Sequence, residues 1–159
     1  MSENKFKTMR HIEAVRNHLD TCIDILKHRA QNHDQTKLES PEVEVFEEYT
    51  PKLRNCTYGS DEYKQNMREM KVAIDHHNKF NSHHPEHHEN GINGMDMFDL
   101  IEMIVDWKCS GMRHDDGDII RSVEINQGRF GYTDEIKNLL LRTIGHIDSK
   151  QTFHNANES

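Results

Sequence analysis

Residues 96–112, DMFDLIEMIVDWKCSGM, decide the fold class. Leu100, Met103, Ile104 and Trp107 recur at spacings of three and four, which places them on one face of an α-helix. Asp96 precedes the run as an N-cap, so a helix is predicted over 97–112. Asp106 lies inside this apolar run, and a buried carboxylate is costly unless it is paired or bound to a cation. Asp99, two turns earlier on the same face, is a second candidate, or it serves the helix dipole.

Outward from this helix the chain keeps the same period. Met9, Ile12, Val15, Leu19, Ile23 and Leu26 mark an apolar stripe along a helix over 6–28, ended by the polar stretch 29–39. Ser40-Pro41-Glu42 starts a short helix expected to stop before Thr50-Pro51. After a turn at Tyr58-Gly59-Ser60, a helix over 61–79 carries Tyr63, Met67, Met70, Ile74 and then His77 on its inner face. Residues 78–94, NKFNSHHPEHHENGING, are too polar for core and predict a long loop. His114-Asp115-Asp116-Gly117 breaks the chain before a helix near 119–127, a turn over 128–132, and a last helix capped by Thr133 and ending by Gly145-His146. No strand alternation and no repeat is visible. The expectation is an all-α, compact bundle of five to seven helices, one domain over 1–147, with a flexible tail over 148–159.

Composition narrows the function classes. With 33% hydrophobic residues in 159, the core must be economical. A net charge of -8 argues against binding duplex nucleic acid, which needs a basic face. A small phosphorylated substrate remains open, because a bound dication reverses the local sign. Cys22, Cys56 and Cys109 form no CxxC pair, which fits a reducing compartment and excludes a zinc ribbon. No run is apolar and long enough for a bilayer, so a soluble, cytoplasmic protein is expected. A homodimer is compatible with all of this.

Thirteen histidines are spread through the interior of the chain. His33-Asp34 can place a nitrogen and an oxygen donor on one cation, and His11, His76-His77 and Asp106 lie on other elements from which ligands could converge. Lys37 lies one turn beyond His33, either beside a bound phosphate or on a solvated surface. His83, His84, His87 and His88 form a lid, a further ligand, or an exposed loop, with His84 favoured by its place before Pro85.

The order His11, then His33-Asp34-x-x-Lys37, then His76-His77, then Asp106 resembles the HD-domain superfamily of metal-dependent phosphohydrolases. The doubled histidine before a turn-rich loop is similar to the cyclic-dinucleotide phosphodiesterase branch, although Asn78 stands where that branch has glutamate and His84-Pro85 where it has Tyr-Pro. The HHPEH and DLIEM…DW segments also resemble a family seen in phage and bacterial genomes. The HD resemblance implies an HD-like helical fold with one or two divalent ions (Mn, Fe, Zn, Ni or Co) between its helices. His11, His33, Asp34, His76, His77 and Asp106 would hold them, with Asp34 bridging. It implies hydrolysis of a nucleotide or related phosphoester, with Asp34, Lys37 and His84 at the reaction. Two alternatives stay open on the same ligand order: a di-iron oxygenase, and a binding module without turnover.

Overall fold

A computed structural model of the chain describes residues 2–57, 60–111 and 118–157. The turn expected at Tyr58-Gly59 and the break expected over 114–117 lie outside the described residues. All regular structure among the described residues is helical, as the apolar spacing requires.

The chain divides into two units, residues 1–33 and 34–159. The first is a single helix, α1 (Glu3–Asn32), capped by Ser2 Oγ on the Lys5 amide. It runs further at both ends than the stripe alone suggests, and no residue on it is buried.

The second unit holds α2 (Glu42–Asn55), α3 (Asp61–Glu69), α4 (Lys71–Phe80), α5 (Met97–Gly111), α6 (Ile119–Phe130) and α7 (Asp134–Asn157), with short 3-10 turns at Gln35–Leu38, Pro85–His87 and Gly91–Gly94. Its apolar core is where α5, α6 and α7 pack on one another. Leu100, Met103 and Ile104 of α5 meet Val123 of α6 and Leu140 and Ile144 of α7 there, with Tyr132 and Ile92 closing the cluster. Trp107 stacks on Phe130 at its margin, ring planes 10° apart. The remaining helices form a second layer, in which α2 packs on α4 and α3 touches both.

α6 runs three residues past its expected end, to Phe130, and three further differences are larger. α2 continues through Pro51, which removes one helical N–H donor and crowds the carbonyl one turn back. The helix expected over 61–79 is interrupted at Met70, which caps both α3 and α4. α7 passes Gly145-His146 and extends to Asn157, so residues 148–157 continue the helix expected to end before them. A lone glycine costs a helix only about 1 kcal/mol, less than the packing of the flanking turns returns.

The first three residues of the loop expected over 78–94 end α4, and the rest holds two 3-10 turns pinned from below. Asp99, 5% exposed on α5, accepts from Ser82 Oγ at 2.7 Å and from the Asp96 amide at 3.1 Å. His88 Nε2–H donates to the Ser82 carbonyl and His87 Nδ1–H to the Lys79 carbonyl. Both histidines are thus fasteners of the loop. Arg129 of α6 clamps its outer edge through Glu86 at 2.7 Å.

Candidate metal centre

α5 carries two stripes. Beside the apolar one runs an acidic one, Glu102 and Asp106, one turn apart on the face turned to the histidine loop. α4 ends opposite, so the last turn of α4 and the first residues of the pinned loop bring three imidazoles toward one carboxylate. Asp34, His77, His83 and His84 each offer a donor atom, and the four donors lie within 4.8 Å of one another.

Asp34 sits at the entry of the first 3-10 turn with φ 57°, left-handed backbone that few non-glycine residues adopt. Aspartate tolerates it better than most. The side chain is thereby turned to the α4 end, with Oδ1 3.2 Å from His77 Nε2 and 3.4 Å from His83 Nε2. His77 Nε2 is 2.9 Å from His84 Nε2.

The other ring nitrogens explain why the Nε2 atoms converge. His77 Nδ1 lies 2.9 Å from Glu42 Oε2, and His83 Nδ1 lies 3.2 Å from Glu102 Oε1. A carboxylate can only accept, so each Nδ1–H donates to its glutamate, which aims Nε2 of each ring at Asp34, where a cation would take the place of the Nε2 proton. Carboxylate–histidine pairs of this kind orient ligands behind metal ions. Glu42 is wholly buried and also accepts from Thr36 Oγ1 at 3.1 Å and takes His76 Nδ1 at 2.7 Å.

The electrostatics match. Burial alone would raise the Asp34 carboxyl, but hydrogen bonds from His77, His83 and Lys37 and the Lys37 charge outweigh it and hold the group well below the usual carboxylate range. Lys37 Nζ is 2.6 Å from Asp34 Oδ2. Burial, with His83 and His77 beside it, pushes His84 down to about 3, so this ring is neutral at physiological pH.

Donor spacing tests whether an ion fits. Ligands about 2.1 Å from a centre stand about 3.0 Å apart in octahedral and about 3.4 Å apart in tetrahedral geometry. The closest pairs here, 2.9, 3.2 and 3.4 Å, fall in that range. Three imidazoles and one carboxylate suit a borderline ion such as Zn, Fe, Mn, Ni or Co. The described residues can therefore hold a divalent metal.

Of the sequence-predicted residues, Asp34, His77 and His84 come together, and Lys37 stands against Asp34. An Asp106 carboxylate oxygen lies within 4.8 Å of one of Asp34. His76 points elsewhere, its Nδ1 on Glu42 and its ring 4.5 Å from Phe80. His11 is exposed on α1, and His33, half-buried, caps the end of that helix. Sequence reading missed Glu102 and Glu42, and offered His83 only as one of four loop histidines that could supply a further ligand. The signal for Glu102 was its place four residues before Asp106 on an apolar helix. Glu42 read as an ordinary first-turn carboxylate.

The model of a family of unknown function, DUF5662, matches residues 1–157. The chain belongs to that family. No curated protein and no solved structure matches this DUF5662 member. Among its described residues no helix is long and apolar enough to cross a membrane.

Proposed function

We propose that this protein is a metal-dependent phosphohydrolase acting on a nucleotide or related small phosphoester, of the HD-domain type its ligand order resembles. One observation carries the reading. Three imidazole donors, two of them oriented by carboxylates, converge on Asp34 while Lys37 stands on its other oxygen.

A divalent cation held there supplies Lewis acidity, polarising a phosphoryl oxygen and acidifying water near neutral pH. The protein's own groups do the rest. His77, His83 and Asp34 fix the position of the ion, and Glu42 and Glu102 fix the rings. Lys37, half-exposed at the edge of the cluster, reaches from Asp34 toward the charge on a substrate phosphate. Asp106, on α5 with an oxygen within 4.8 Å of one of Asp34, would accept a proton from the attacking water. The new P–O bond forms from that water as the ester P–O bond breaks. The proton gained by the carboxylate then passes through solvent to the leaving alkoxide. Neutral His84 is either the fourth ligand or the group nearest the leaving oxygen.

The experiment is metal content per chain by elemental analysis, on full-length protein purified without chelator, beside Asp34→Ala. Near-stoichiometric metal lost in the variant, followed by turnover in a screen of phosphomonoesters, phosphodiesters and nucleotides, supports the proposal. Iron with oxygen uptake and no phosphoester turnover would move the assignment to a di-iron oxygenase. Absence of metal after reconstitution would leave a binding module.

A further inference from the structure

We propose that α1 is a self-association helix through which two copies of this chain pair. It has 30 residues and no buried one, so at 1.5 Å per residue it presents a rod about 45 Å long. Ile12, Val15, Leu19, Cys22 and Leu26 follow one another at spacings of three, four, three and four. That is the 3.5-residue period of a helix facing another helix, with Met9 and Ile23 widening the seam on one side.

The seam is open. Met9, Ile12, Val15, Leu19 and Ile23 are between 43% and 58% exposed. Their uncovered surface is roughly 500 Å² per helix, in the upper part of the range for the largest apolar patch on a monomer, a patch that often serves binding. Two such faces, fully covered, would bury about 1,000 Å², the least that a specific interface clears.

Charge argues for an identical partner. Helices that choose a different partner do so with opposite charges beside the seam. Here the flanking positions are His11, His18 and Ile25 on one side and Met9, Arg16, Ile23 and Ala30 on the other. Arg16 is the lone Lys, Arg, Asp or Glu among them. Glu13, Asp20 and Asp24 lie on the opposite face, where pairing leaves them in water.

The test is the solution mass of the full chain by sedimentation equilibrium over a hundredfold concentration range, for wild type, Leu19→Lys and Glu13→Lys. The expected result is twice the 18.8 kDa chain mass for wild type and Glu13→Lys, and a single chain mass for Leu19→Lys with unchanged helical circular dichroism. A monomeric wild type overturns the proposal, as does a Leu19→Lys dimer. Should Leu19→Lys fail to fold, Ile12→Lys replaces it with the same two readings. None of these outcomes depends on the metal centre.

Discussion

His77 Nε2 and His84 Nε2 face each other at 2.9 Å. With its Nδ1–H given to Glu42, His77 turns its Nε2 to this point, 3.2 Å from Asp34 Oδ1 as well. A cation shared between the two nitrogens satisfies both rings at once. His76, adjacent in sequence, turns its Nδ1 to Glu42 and stands outside that point. His77→Ala and His84→Ala should each lower affinity for Zn or Mn by about 100-fold or more, while His76→Ala lowers it by about 10-fold or less. Isothermal titration with each metal separates the two classes. Equal losses at His76 and His77 would put His76 in the ligand set.

Glu42 supports two histidines and a threonine from a fully buried position at the start of α2. Glu42→Gln keeps the shape but offers one accepting oxygen where the carboxylate offered two. Metal affinity should fall about 10- to 100-fold, the usual effect of removing a partner behind a ligand. Glu102→Gln acts on His83 in the same way. Affinity measured for both variants checks this, and a wild-type value for each would show that the rings need no such support.

Metal should also stabilise the fold, because the donors come from separate segments, at Asp34, α4 and the 83–84 loop, that converge only in the folded chain. At free metal one hundred times the dissociation constant the gain is about 2.7 kcal/mol. Thermal unfolding with and without added Zn or Mn should show a higher midpoint with metal, reversed by chelator and absent in Asp34→Ala. A midpoint indifferent to metal in the wild type would count against a site built from these segments.

The fold class could be read from the sequence because α5 needs nothing outside itself to declare its face. Leu100, Met103, Ile104 and Trp107 repeat at helical spacing whatever surrounds them. The interruption at Met70 and the continuation of α2 through Pro51 carry no such local signal, since packing between α2, α3 and α4 settles them. The site divides the same way. Asp34, His77 and His84 stood out as polar groups in suggestive places. His83 and Glu42 did not, because a histidine in a polar loop and a glutamate at a helix start look solvated until the fold buries them to 3% and 0% exposure.

Core packing gives a prediction independent of the metal. Met103 is fully buried between α5, α6 and α7. Met103→Ala removes that packing and leaves a cavity, so stability should drop by about 2–5 kcal/mol. Denaturant unfolding measures it, and a change below about 1 kcal/mol would mean that the surrounding helices collapse onto the space.

Tyr132 ties the α6–α7 corner to the core. Its hydroxyl, from a side chain that is 4% exposed, donates to the Val123 carbonyl at 2.5 Å. Burial pushes its ionisation up to about 12, from an ordinary value of 10.0. A group whose folded-state value is raised contributes stability that is fully present below the unfolded value and is lost as pH climbs through the folded one. The Tyr132 contribution should therefore be intact up to about pH 10 and disappear between about pH 10 and 12. Tyr132→Phe removes the hydrogen bond, costing about 1 kcal/mol at neutral pH, and also removes this titration. In unfolding free energies measured from about pH 8 to 12, the wild-type advantage should shrink as pH rises through about 10, and the two curves should cross before about pH 12. Parallel curves across that range would show that the hydroxyl does not titrate in the fold.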